Sequence, residues 1–104
     1  MTAQGHPRAI FKRAIERGNV LIAEMAAREA GNLTLAEALD LLCLYAYARD
    51  AKFERAAVKW LGRFIEECPP SRLRAQVALA ALSELRGGSE AGERMLRELV
   101  AGRN

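Results

Sequence analysis

Apolar residues recur along this chain at steps of three and four, and nowhere is there a sustained alternation of apolar and polar positions. Every segment therefore reads as helix, and the punctuation divides the chain into six pieces. Pro7 suits a first helical turn, with Ile10, Phe11, Ala14 and Ile15 following on one face. Gly18 offers a left-handed stop, and Asn19 can cap a second helix whose inward face is Ile22, Met25, Ala26 and Ala30. That helix stops at Gly31. Thr34 followed three residues later by Glu37 is a capping box, with Leu33 placed as a hydrophobic staple. The third helix presents Leu39, Leu42, Cys43, Ala46 and Tyr47 and ends near Arg49.

Asp50 is placed to cap a fourth helix with Phe53, Ala57, Trp60, Leu61 and Phe64 inward, ended by Cys68-Pro69-Pro70. Ser71 caps a fifth, with Leu73, Val77, Leu82 and Leu85 as its stripe, and Gly87-Gly88 ends it. Ser89 opens a short sixth around Met95, Leu96, Leu99 and Val100. The connections are short, so consecutive helices should pair as antiparallel hairpins. The expected fold is all-α: six short helices in three hairpins, forming either a compact bundle or a short helical-repeat-like stack. At 104 residues this is a single all-helical domain over residues 1–104, with residues 1–6 and 102–104 expected to be mobile.

Composition narrows the chemistry. One histidine and two cysteines, Cys43 and Cys68, provide no zinc-ligand spacing. His6 has no second ligand or nucleophile beside it. Cys43 lies on an apolar helix face, and Cys68 meets the negative end of a helix dipole, which disfavours a thiolate. Glu66 and Glu67 are adjacent and point about 100° apart on a helix, so they cannot share a proton. No glycine-rich phosphate loop is present. No catalytic residue, metal or cofactor is expected, and the chain reads as a non-enzyme. The first 19 residues hold no apolar run of the kind a signal peptide requires, and two distant cysteines do not form a disulfide framework, so a cytoplasmic location is expected. The longest apolar stretch, Leu35 to Ala48, carries Glu37 and Asp40 and is too short to cross a bilayer; it reads as a helix buried on most sides. Trp60, Phe64, Tyr45 and Tyr47 read as core aromatics rather than a ligand cage.

The net charge is +3, unevenly spread. Arg8, Lys12, Arg13 and Arg17 against Glu16 make the first 19 residues basic, whereas Glu24, Glu29, Glu37 and Asp40 against Arg28 make residues 20–48 acidic. In the fourth helix Lys52, Arg55, Lys59 and Arg63 follow at steps of three, four and four, which places them on one stripe beside the apolar face. Four like charges in a row repel one another unless a partner covers them or nearby carboxylates such as Glu66 and Glu67 steady them. This stripe is the candidate partner-binding surface, with Arg8, Lys12 and Arg13 of the first helix as a second.

The segment Ala51 to Pro69 resembles the second helix of a tetratricopeptide repeat, with Ala51, Phe53, Ala56 and Trp60 in the small and aromatic slots and Pro69 one residue late. The preceding helix departs from that pattern: its tryptophan, leucine and glycine slots hold Asp40, Cys43 and Leu44, and Tyr47 alone fits. The resemblance covers about a third of the chain and implies a stacked hairpin used in protein interaction. The chain as a whole also resembles small all-helical proteins encoded by GC-rich bacterial genomes, which implies no mechanism. Ala26 to Gly31 is similar to the first helix and turn of a helix-turn-helix DNA reader, but the groove-facing positions would then be Thr34, Leu35, Glu37 and Asp40, and carboxylates repel phosphates. The sequence thus points to a non-catalytic interaction or structural module with a protein partner or a second copy of itself. Nucleic acid is not expected as a partner. The alternative is a weak nucleic-acid or anionic-surface binder that uses the basic stripe.

Overall fold

The computed structural model describes residues 6–102, and these form six α-helices with no strand among them. They are α1 (Pro7–Arg17), α2 (Val20–Ala30), α3 (Leu35–Ala48), α4 (Phe53–Glu67), α5 (Arg72–Arg86) and α6 (Glu90–Ala101). Expected mobility at residues 1–5 and 103–104 lies outside the described residues. His6 caps α1: its Nδ1 accepts a hydrogen bond from the Arg8 backbone N–H at 3.2 Å.

At α2, α3 and α5 the caps are those the residue types favour, whereas Ser89 precedes α6 without a side-chain cap bond. Asn19 Oδ1 accepts from Ile22 N–H at 3.1 Å, and Ser71 Oγ accepts from Arg74 N–H at 3.1 Å. At the start of α3, Thr34 Oγ1 accepts from Glu37 N–H at 3.0 Å while Glu37 Oε1 accepts from Thr34 N–H at 2.8 Å, so both halves of the capping box are closed. Gly18, at φ 70°, turns the chain out of α1. Arg49 does the same for α3 at φ 56°, a left-handed conformation taken by a residue with a Cβ. The start of α4 differs from expectation. Asp50 Oδ1 bonds to Lys52 N–H at 2.8 Å and closes a turn, and the helix opens only at Phe53.

The three hairpins, α1–α2, α3–α4 and α5–α6, do not form an open row. α3 packs on α4, α4 on α5, α5 on α6, and α6 closes back onto α3, which makes a ring of four helices. Its core holds Leu39, Leu42, Trp60, Phe64, Leu85 and Leu96. The α1–α2 hairpin lies against the remaining side of α3 over a second, smaller cluster of Phe11, Ala14, Ala23, Ala26 and Leu44. Val20 and Leu41 touch both clusters. Two cores side by side give an elongated body of 47 × 28 × 20 Å. α3 is the shared wall, with seven of its 14 residues buried, as its near-continuous apolar run predicts.

Three faces are rotated from the sequence reading. In α2 the buried residues are Ala23 and Ala26, while Ile22 and Met25 stand 38% and 50% exposed. Between Leu21 and Ala27 every residue but Glu24 is apolar, so the periodicity leaves the inward face undetermined, and the small alanines allow the closer approach. In α5 Leu73 lies in the first turn and is 70% exposed, and Ala78, Ala81, Leu82 and Leu85 face inward. The reason is Gly92 of α6, where a Cβ would stand 2.7 Å from the Ala81 carbonyl oxygen and 2.8 Å from the Leu85 nitrogen. Backbone approaches backbone there, and only small residues fit between. Met95 is correspondingly turned outward, leaving Leu96, Leu99 and Val100 in the core. Tyr47, read as core, is 47% exposed; it sits in the last turn of α3 and its hydroxyl donates to Glu93 Oε1 of α6.

Candidate interaction groove

Lys59 and Arg63 of the basic stripe border a groove. Between α4 and α3, and closed at one end by the α2–α3 loop, lies an open cavity of about 560 Å³. Its floor is Leu33, Ala38, Leu41, Leu42, Ala56 and Trp60, its α4 wall carries Lys59 and Arg63, and Tyr45 and Glu67 lie toward its ends. Ala38 of α3 and Ala56 of α4 each bring only a methyl group to its lining, which leaves the hollow unfilled. The indole of Trp60 is 2% exposed, stacks on Phe64 with ring centroids 5.4 Å apart, and donates its Nε1 hydrogen to the Leu35 carbonyl at 3.1 Å. Below the surface, the floor is buried core.

The four stripe residues do not share one role. Lys52 precedes α4 and is held by its neighbours: its Nζ lies 3.2 Å from Asp50 Oδ2 and 3.4 Å from Glu24 Oε2, and 5.7 Å from the centre of the Tyr45 ring. The Asp50 contact raises its pKa above the ordinary lysine value. Arg63 Nε pairs with Glu67 Oε2 at 2.7 Å, one turn along the helix, so part of its charge is balanced as the carboxylates near the helix end suggest. Arg55 and Lys59 are exposed and have no ion-pair partner among the described residues. Of the tetratricopeptide-like slots, Phe53 and Trp60 are buried, Ala56 lines the groove and Ala51 is exposed in the turn.

The second candidate surface is divided in the same way. Arg8 pairs with Glu37 and donates to the Asn32 carbonyl, which ties α1 to the start of α3. This contact, ahead of the opposing effect of burial, draws the Glu37 carboxyl below its ordinary pKa. Lys12 and Arg13 are exposed, and Lys12 borders a shallow hollow of about 600 Å³ with Phe11 and Ile15.

The carboxylates of α3 are absorbed by internal contacts. Asp40 Oδ1 meets Arg97 Nη1 at 2.9 Å, and Arg97 Nε meets Glu93 Oε2 at 2.9 Å. On the other flank Tyr45 Oη donates to Glu24 Oε2 at 2.6 Å, and burial together with that bond lifts the phenol's pKa above its ordinary range. Cys43 and Cys68 are free and buried, and burial pushes the Cys43 thiol up to about 12. Among the described residues no group of three or more histidines, cysteines and carboxylates could hold a metal ion, and no helix is long and apolar enough to cross a membrane. Against protein-family models, curated proteins and solved structures, the chain has no match.

The stripe was legible from its spacing. The groove was not, because its lining comes together from α3, α4 and the loop before α3.

Proposed function

We propose that this chain is a non-catalytic protein-interaction module whose contact surface is the groove between α3 and α4. One observation carries the reading: Lys59, a cation with no internal partner, stands on the wall of a hollow whose floor is apolar. Apolar surface supplies affinity when water leaves it, and a bordering charge supplies orientation and selectivity. The helix-turn-helix alternative has less support. Its would-be reading helix, α3, is the shared wall of both cores, and its Glu37 and Asp40 are engaged by Arg8 and Arg97. Base stacking in the groove also has little support, since its aromatics, Trp60 and Tyr45, are buried, and the exposed Tyr47 lies outside it with its hydroxyl bonded to Glu93. Two free, buried thiols fit the reducing interior of a cell, which we take as the site of action.

A photo-crosslinking residue at position 59, compared with one at Ala80 on the exposed face of α5, tests the proposal in cells. A protein captured from position 59 and not from position 80 is expected. Equal capture from both positions, or capture of nucleic acid alone, would overturn it.

A further inference from the structure

The groove also constrains what can occupy it. We propose that it docks an acidic amphipathic helix of about three turns, supplied by a protein partner, with its apolar side on the floor that includes Ala38 and Ala56 and its carboxylates against Lys59 and Arg63 of the wall, with Arg55 one turn farther along the same stripe. This rests on the interaction-module reading above and specifies its ligand.

Three features select a helix with that charge. The first is length: the groove follows α4 from Ala56 to Glu67, which at 1.5 Å per residue is about 16 Å, or three helical turns. The second is the backbone. Both long walls are helices, whose interior N–H and C=O groups are already paired, so an extended peptide would find no strand edge to join and would bury its own polar groups unpaired. A helix satisfies its backbone internally and presents only side chains to the floor. The third is charge register. Arg55, Lys59 and Arg63 are each four residues apart and rise about 6 Å per step, the spacing of glutamates at i, i+4 and i+8 on a helix lying alongside. Arg55 and Lys59 have no internal acid to give up, so only the Arg63–Glu67 pair must rearrange. A bilayer is too flat to reach the concave floor, and a phosphate backbone would leave the floor's leucines uncovered.

The test uses the full chain and a labelled synthetic helical peptide of about 13 residues, with leucines at i, i+3 and i+7 and glutamates along the flank that faces α4. Saturable binding by fluorescence anisotropy is expected. It should weaken at least about tenfold, roughly 1.4 kcal/mol, when Lys59→Glu and Arg63→Glu are combined, or when the leucines become serine. A peptide carrying lysine for glutamate should bind the charge-reversed protein better than the original one. Because both replaced side chains stand at the surface, the circular dichroism melt of that variant should match the parent. Absence of peptide binding, while position 59 still crosslinks a protein, overturns this inference and leaves the module reading standing. Absence of both removes both. Duplex DNA or phosphatidylserine vesicles bound at about 150 mM salt and lost on the same reversal would overturn it in favour of a polyanion surface. Dimers of the chain that dissociate on that reversal would overturn it in favour of a second copy.

Discussion

The indole nitrogen of Trp60 donates to the carbonyl of Leu35 at 3.1 Å, which fastens the middle of α4 to the first turn of α3. The bond is buried, and it joins the most enclosed helix to the one that carries the basic stripe. Trp60→Ala should cost about 3–5 kcal/mol through the cavity it leaves, whereas Trp60→Phe should cost less, about 1–2 kcal/mol, since it keeps a ring against Phe64 and loses the donor. Urea unfolding of the two variants separates packing from hydrogen bonding. An equal, negligible cost for both would mean that Trp60 is not core.

Two glycines inside helices should respond to alanine in opposite directions. At Gly92 a Cβ would strike the backbone of α5 at Ala81 and Leu85, so Gly92→Ala should destabilise by about 1–3 kcal/mol or separate α5 from α6. At Gly62 nothing lies within 4 Å of the added atom, and Gly62→Ala should stabilise by about 0.5–1 kcal/mol through helix propensity alone. Thermal melts of the pair give the comparison, and a shared sign would contradict the α5–α6 geometry.

Arg49 holds a left-handed backbone at the end of α3, where its N–H reaches the Ala46 carbonyl at 3.1 Å. Arg49→Gly removes the Cβ penalty of that conformation and should raise stability by about 0.5–1 kcal/mol, measured by chemical denaturation. A loss would show that the exposed arginine side chain contributes more than its backbone costs.

The Arg8–Glu37 pair predicts an acid limb. The folded state holds Glu37 below its ordinary pKa near 4.5, chiefly through Arg8. Its contribution is therefore complete above that ordinary value and is lost as the pH falls through the depressed folded value. Glu93 adds to the same limb: burial works against its charge, but the bonds from Tyr47 and Arg97 outweigh it and lower its pKa. Glu37→Gln should be less stable than the parent at pH 7, with the two converging near pH 2. Parallel curves across the whole range would show that the pair does not stabilise the fold.

The helices and their ends were legible in the sequence because caps are local. Thr34 with Glu37, Asn19, Gly18 and the Cys68-Pro69-Pro70 stop act within a turn of themselves, and each acts in the structure as its chemistry requires. The long apolar run of α3 likewise announced a helix enclosed on most sides. The positions that failed are those where another helix decides. Ile22 and Met25 lost the inward face of α2 to alanines because close approach of α1 and α3 favoured small residues. Leu73 fits the core by its period yet is exposed, because the close approach at Gly92 turns Ala78, Ala81, Leu82 and Leu85 of α5 inward instead.

What the sequence by itself determined is the all-helical class, six elements and a stripe of four cations, all properties of spacing within about four residues. Only the tertiary structure decided that α6 returns to α3 to close a ring, that Gly92 sets the α5–α6 distance, and that two of the four cations have internal partners. It also decided that Ala38 and Ala56, from different helices, line one apolar groove with Lys59 on its wall. Periodicity records which face of a helix is apolar, but not which neighbour will cover it. Side-chain volumes and charges from distant parts of the chain settle that only when they pack.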